Sequence, residues 1–404
     1  MNVSKHGGQE RLLRILMVAP TSFFSDYGGH IRILEETRAL QALGHQVTIV
    51  TYYKGSNLPG LDIRRTARLP WHTDYEVGSS RHKLAFDVYL AAQTLIEGLR
   101  VKPDIVHGHM HEGALIGGVL ARMLGKPLVF DFQGSMSAEM VDHGFLDKNG
   151  RIYSVAHHME KTINRVFPQA ILTSSQQAAG ILVEDFQVNE SMIYPLPDCA
   201  DTERFNPDVL SDSEKADLRR QLGIPEDRTI VAYLGLLTDY QGTPHLIEAA
   251  SYLREMDEPI HFLVMGYPNV DYYRHLAGEA GVNDTMTFTG KIEYRDAARY
   301  LALGDIAVAP KISATEGSGK ILNYMAMAQP VVAFETPVSS EYLAEWGIYV
   351  PVGDAQGLAR ALRDLAHDPA RRLKTGASLR ERAKTKYSWQ RAGEEIQAIY
   401  YGLT

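Results

Sequence analysis

The sequence predicts an α/β protein made of two Rossmann-like units whose parallel sheets face each other across a cleft. Three observations lead there. Short apolar runs alternate with helix-period stretches along almost the whole chain. Its 404 residues exceed what one typical hydrophobic core organises, so two domains are expected. Residues 195–207 hold three prolines and no hydrophobic period, and they separate one alternating half from the other.

Composition narrows the class. Apolar content of 45% and charged content of 22% are those of a soluble globular protein. Residues 1–195 carry 19 Lys and Arg against 19 Asp and Glu, so the whole net charge of −8 falls in the remainder. Neither half has the basic surplus of a nucleic-acid binder. The single cysteine, Cys199, excludes an internal disulfide framework and a cysteine-rich metal cluster, and fits a reducing compartment. No apolar run reaches the roughly 20 residues of a membrane span. Ile15–Ala19 is too short for a signal peptide and reads as a first strand, so a cytoplasmic location is expected.

In the first half, residues 14–20 form that strand, followed by a loop ending in Gly28-Gly29-His30. A helix with Ile31, Leu34, Leu40 and Leu43 near its buried side closes at Gly44, and residues 46–51 are the second strand. This opening βαβ lacks the G-x-G-x-x-G fingerprint and an acidic residue after strand two, which argues against a nicotinamide oxidoreductase. Residues 55–80 are irregular or partly stranded. Residues 82–100 read as a core-facing helix with apolar residues at Leu84, Ala85, Val88, Ala91, Leu95 and Leu99 and little basic character; a peripheral membrane contact is compatible with it but not indicated. Strands follow at 104–107, 126–132 and 170–175, with a helix at 152–166.

The second half repeats the alternation. Strands are expected at 229–235, 260–265, 286–289, 305–309, 330–334 and about 348–351, with helices near 243–255, 271–280, 294–303, 319–328 and 339–345. Within it, residues 305–333 read as strand, glycine loop, helix and strand. Ile306–Ala309 ends at Pro310, and Glu316-Gly-Ser-Gly319 opens a helix whose buried stripe is Ile321, Leu322, Met325 and Ala326. Lys320 and Asn323 lie off that stripe, one turn apart. A helix N-terminus behind a glycine loop is a natural anion site. Lys311 and Lys320 around one loop would suit a pyrophosphate. The bland alternative is an ordinary αβ unit with turn glycines and solvated lysines.

Other constellations are less specific. His107, His109 and His111 alternate at a strand end and would share one side if the strand continued. Their surroundings match no recognised zinc spacing, so no metal is expected. One histidine facing the cleft, or plain loop packing, are the remaining readings. Gln133, at another strand end, can hydrogen-bond a substrate but cannot take a proton; it could equally order its loop. No P-loop, no G-x-S-x-G and no D-x-D pair occurs.

Together these pieces resemble glycosyltransferase family 4, retaining enzymes of the GT-B fold. The resemblance is carried by Gly28-Gly29 and the helix ending in Leu43-Gly44-His45, by Pro103-Asp-Ile-Val-His-Gly-His109, by Asp198-Cys-Ala-Asp-Thr-Glu-Arg-Phe205, and by Lys320-Ile-Leu-Asn-Tyr-Met-Ala-Met-Ala-Gln-Pro-Val-Val332. Tyr387-Ser-Trp389 resembles the segment that crosses back to the first domain. The domains implied are 1–195, with a C-terminal helix of about 388–404 returning to it, and 196–387.

The resemblance implies a UDP-, GDP- or ADP-sugar donor held mainly by the second domain. It also implies a carbohydrate, lipid-linked or small-molecule acceptor held by the first, and transfer without metal or further cofactor. Glu316 would position the donor sugar, Lys320 and Lys311 the diphosphate, and Asn323 the ribose. Gly28, Gly29, Gly317, Ser318, Gly319, Leu322 and Gln241 would complete the donor site, with His109 and Gln133 on the reacting face. Four positions depart from the pattern. Asn323 replaces a second glutamate, Leu236 an arginine, Gln241 a lysine, and Gln133 a histidine. The missing cations leave two alternatives open: a nucleotide-sugar binding protein with weak or no catalysis, and a GT-B nucleotide-sugar epimerase.

Overall fold

The structure is a computed structural model that describes residues 11–24, 28–68, 83–142, 146–312 and 318–404. The first unit holds β1 (Arg14–Ala19), α1 (Gly28–Ala42), β2 (Gln46–Thr51), β3 (Asp62–Arg65), α2 (Lys83–Val101), β4 (Ile105–His109), α3 (Met110–Leu124), β5 (Leu128–Phe132), α4 (Met136–Asp142), α5 (Arg151–Val166), β6 (Ala170–Thr173), α6 (Gln176–Glu184) and β7 (Ile193–Pro195). Its strands form one sheet in the order β3-β2-β1-β4-β5-β6-β7, and every pairing is parallel.

The period-two alternation of β1 divides the core of this unit. Leu16 and Val18 pack with Leu90 of α2, Leu120 of α3 and Ile163 of α5 on one face. Ile15 and Met17 pack with Ile33 of α1 and Ile396 on the other. Burial on both faces is why these strands read as near-continuous apolar runs.

The second unit holds α7 (Asp212–Gln221), β8 (Thr229–Leu236), α8 (Thr243–Glu255), β9 (Ile260–Tyr267), α9 (Val270–Glu279), β10 (Met286–Gly290), α10 (Ala297–Leu301), β11 (Ile306–Ala309), α11 (Gly319–Ala326), β12 (Val331–Phe334), α12 (Pro337–Leu343), β13 (Ile348–Val350), α13 (Ala355–Ala366) and α14 (Pro369–Lys386). Its parallel sheet runs β10-β9-β8-β11-β12-β13. The last helix, α15 (Trp389–Leu403), lies on α1: a Cβ on Gly393 would stand 2.8 Å from Ala39, and His45 Nε2 meets Gln397 Oε1 at 2.8 Å.

The segment expected as a linker is irregular but packed. Phe205 is fully buried, and the Arg204 guanidinium stacks over the Tyr294 ring at 5.0 Å. Across the two units, Tyr342 Oη donates to Ser174 O at 3.0 Å, and Gln176 N donates to Glu341 Oε2 at 2.9 Å.

Two expectations fail. The helix expected at 82–100 is α2, but Val88, Ala91, Leu95 and Leu99, expected on its core side, are exposed, and Leu90, Thr94 and Gly98 are buried instead. The strand carrying the histidines does not continue past His109. Met110 takes φ +56°, and α3 starts there. His107 and His109 stay on the strand and stack at 4.5 Å, while His111 turns to the opposite side between Phe130 and Phe132. The three histidines therefore do not share a side.

Candidate active site

Parallel strands bring their carboxyl ends, and the helix N-termini that follow, to one edge of each sheet. In the second unit, the loops after β8 and β11 converge. Gly242 follows β8 at φ +80°, and a Cβ there would stand 1.9 Å from Pro310 O, so only glycine lets the β8 and β11 loops close on each other. Ile312 N donates to Tyr240 O at 3.0 Å and ties the same loops again.

Lys320, in the first turn of α11, reaches into this junction. Its Nζ donates to Gln241 Oε1 at 2.7 Å and sits 4.5 Å from the centroid of the Tyr233 ring. A Cβ on Gly235 would lie 2.9 Å from that Nζ, so the absence of a side chain there makes the room for the ammonium. Tyr233 is fully buried. Loss of hydration holds its phenol well above the usual range, and its Oη donates to Leu236 O at 2.7 Å. The result is a cation held at a helix N-terminus by an amide oxygen and an aromatic face.

The other expected donor residues are placed as follows. Lys311 is buried, so it is not a solvated surface charge, and its cation acts on Asp198. Ser318 is buried, and its Oγ has no hydrogen-bond partner among the described residues. Gly319 faces Asp198 Oδ2, 3.6 Å from where a Cβ would be. Asn323 is half-buried on α11, while the Leu322 side chain lies in the apolar core. Glu316 and Gly317 lie outside the described residues.

The expected residues of the first unit gather at α1 and the end of β5. Gly29 opens α1, and a Cβ there would come within 2.9 Å of Gln133 Oε1; a Cβ on Gly28 would meet open space. Gln133 Nε2 donates to Asp131 Oδ2 at 2.8 Å, and the same oxygen accepts from His109 Nδ1 at 3.0 Å. His109 is fully buried, whereas Gln133 is half-buried. The sequence-expected pair is thus brought together through a carboxylate, with Gln133 nearer the open side.

Behind that chain lies a charge cluster that sequence reasoning missed. Arg32 of α1, 2% exposed, contacts Asp131 Oδ1 at 2.9 Å and Asp198 Oδ1 at 3.1 Å, and donates to Leu196 O at 3.1 Å. Loss of hydration opposes ionisation of Asp131, but Arg32 and His109 outweigh it and hold the carboxyl below its usual range. Burial and the nearby Asp131 charge push the Glu36 carboxyl well above its usual range. Burial, then His109, lowers His107, whose Nδ1 meets Tyr400 Oη of α15 at 2.6 Å.

Among the described residues, one trio of possible metal ligands, Glu36, His107 and His109, gathers within 4.8 Å. Arg32 Nε stands 3.0 Å from Glu36 Oε1 and already brings a positive charge to this carboxylate, which suits a buried ion-paired cluster better than a cation site. A cavity of about 270 Å³ lies where the chain crosses between units, lined by Leu196, Cys199, Glu341, Arg382 and Tyr387; none of the expected donor residues lines it.

Comparison with known proteins matches this geometry to a family. Residues 28–204 match the family model described as Glycosyltransferase Family 4, and residues 214–386 the model described as Glycosyl transferases group 1. EpsD, a provisionally named glycosyltransferase of Bacillus subtilis, is 31% identical over 308 residues, covering 74% of this chain and 76% of the relative. The D-inositol 3-phosphate glycosyltransferase of Corynebacterium aurimucosum is 26% identical over 394 residues, covering 93% and 91%. Among solved structures, HepE of Anabaena in complex with UDP-glucose superposes with a TM-score of 0.77 at 15% identity, covering 97% of this chain and 100% of that one.

Proposed function

Because this chain belongs to glycosyltransferase family 4 and is a glycosyltransferase of the GT-B fold, we propose that it moves a sugar from a nucleoside-diphosphate sugar to an acceptor hydroxyl, with retention of configuration and without a metal ion. In that reaction the bond from the anomeric carbon to the diphosphate breaks. The acceptor oxygen bonds to the carbon, and the hydroxyl proton leaves with the nucleoside diphosphate.

The observation that carries the reading is the placement of Lys320. As the donor bond breaks, negative charge gathers on the departing diphosphate, and fixed cations and N–H dipoles aimed there lower the barrier. Lys320 Nζ stands at the start of α11, bridged to Gln241. Lys311 is buried beside the same loop, and Ser318 and Gly319 offer backbone N–H groups. Gln133 would meet the sugar from the facing wall, oriented by Asp131 and His109; His109 is then a positioning residue. Glu316 for the sugar and Asn323 for the ribose complete the proposal from the family pattern. The HepE complex supports a nucleotide-sugar donor, and the inositol-phosphate relative supports a small hydroxylated acceptor, with carbohydrate and lipid-linked acceptors in the same class.

The test is transfer or hydrolysis of radiolabelled UDP-, GDP- and ADP-sugars, in buffer with and without EDTA. One donor should turn over at the same rate in both, and NMR of the product should show the donor's anomeric configuration. Absence of turnover with every donor, together with absence of a thermal shift with every nucleotide, would contradict the proposal. The second reading, nucleotide-sugar binding with weak catalysis, rests on Leu236 and Gln241 standing where cations are usual. It requires binding without turnover, and Leu236→Arg with Gln241→Lys should then tighten binding.

A further inference from the structure

We propose that the outer face of α2, α3 and α5 is a docking surface for an anionic phospholipid bilayer. The three helices form one layer. Their inward residues Leu90, Leu120 and Ile163 share a single core against the same face of the sheet, and α3 touches both neighbours. Their outward residues therefore make one continuous surface.

That surface is apolar to an unusual degree. Ile152 and Val155 of α5 are 72% and 69% exposed, and Met123 of α3 and Val88 of α2 are 64% and 62% exposed. The apolar positions repeat at helical spacing, as Leu115, Val119 and Met123 do on α3. Eleven of the nineteen exposed large apolar side chains among the described residues lie on these three helices. Scattered exposed apolar residues are ordinary, but a contiguous patch marks an interaction site.

The charge pattern selects the partner. Among the described side chains of the three helices, every exposed charged one is an arginine: Arg100, Arg151, Arg165 and Arg122, the last also stacked over Phe167 at 4.6 Å. The carboxylates are buried or, at Asp87 and Glu112, half-buried. Asp87 accepts from Tyr52 Oη at 2.5 Å, Glu160 pairs with His111 at 3.2 Å, and Glu97 is buried. A chain with a net charge of −8 thus presents one apolar face studded with guanidinium groups. Apolar side chains flanked by cations are what an anionic bilayer surface binds. A second copy is a poor occupant, because an isologous contact would bring the arginines of both copies into one interface with no exposed carboxylate among the described residues of these helices to pair them. Among the described residues no helix is long and apolar enough to cross a membrane, so the chain would lie on the bilayer through this face. Reading α2 alone hides this, because three of the four arginines come from α3 and α5. The face also borders the site: α3 begins at the residue after His109.

The experiment is co-sedimentation with vesicles of phosphatidylcholine alone or with about one-third phosphatidylglycerol, at salt of about 50 and 500 mM. Binding to the anionic vesicles at low salt should be about tenfold tighter than to neutral ones and should weaken at high salt. The double variants I152E/V155E and R151E/R165E should lose it while keeping their circular dichroism, melting temperature and nucleotide binding. Those controls separate failure of this surface from failure of the donor-site reading. Equal binding to both vesicle types, or none to either, would overturn the proposal. So would concentration-dependent dimerisation abolished by I152E/V155E, which would assign the face to a second copy.

Discussion

Arg32 and Asp131 join α1, the end of β5 and the interdomain segment at one buried point. Removing one member of a buried ion pair leaves the other charge uncompensated. Asp131→Asn should therefore cost about 3 kcal/mol, read as a melting temperature lower by roughly 6–12 °C. Asp198→Asn should cost less than half as much, since the Asp198 side chain keeps 22% exposure and water can replace part of the contact. Equal losses in calorimetry would contradict this ranking. The cluster was not legible in the sequence, because its partners lie 99 and 166 residues apart. Lys320, Gln133 and Gly29 were legible because each sits at a loop-to-helix or strand-to-loop junction that local pattern reveals.

At the scale of elements, most strands and helices follow from apolar period and punctuation, and the exceptions have local causes. Helix α3 is the clearest. Its glycines argue against a helix in sequence, yet each marks a close approach. A Cβ would come within 2.5 Å of Val18 O at Gly113, 3.1 Å of Val106 at Gly117, and 2.5 Å of Phe167 at Gly118. The glycines let the helix lie tight on β1 and β4 and against Phe167. The turn into it, at Met110, uses a positive φ on a non-glycine residue, which no sequence rule flags. Strand β9 carries a testable element-scale property. His261 is buried, its Nε2 meets Thr287 Oγ1 on β10 at 2.8 Å, and burial lowers its pKa to about 4. The unfolded chain takes up this proton near pH 6.5 and the folded chain only near 4. Stability should thus fall as pH drops from 6.5 towards 4, by a total on the order of 3 kcal/mol from this group. His261→Gln should flatten that part of the stability–pH curve. An unchanged slope in urea titrations at several pH values would refute the assignment.

On the scale of the whole molecule, the tandem αβ pattern, the proline-rich break and the returning C-terminal segment were all readable in the chain. What could not be read is how the loops of the second unit meet one another. The β8 and β11 loops close through Gly242 and Pro310, Lys320 finds Gln241 across 79 residues, and Gly319 faces Asp198. These contacts turn a generic anion-binding loop into a structured cation site in the second unit. They also bear on the departures at Leu236 and Gln241. The amide of Gln241 supplies no charge, but its oxygen holds the lysine that does. The most direct measurement is kcat/KM of Lys320→Ala with whichever donor the panel identifies, beside Lys320→Arg and a melting curve for each. Loss of the fixed cation should lower kcat/KM about 100- to 1000-fold through kcat, with the fold intact and partial recovery in the arginine variant. A folded Lys320→Ala enzyme with near-wild-type kcat/KM would contradict the assignment of the diphosphate charge to this lysine.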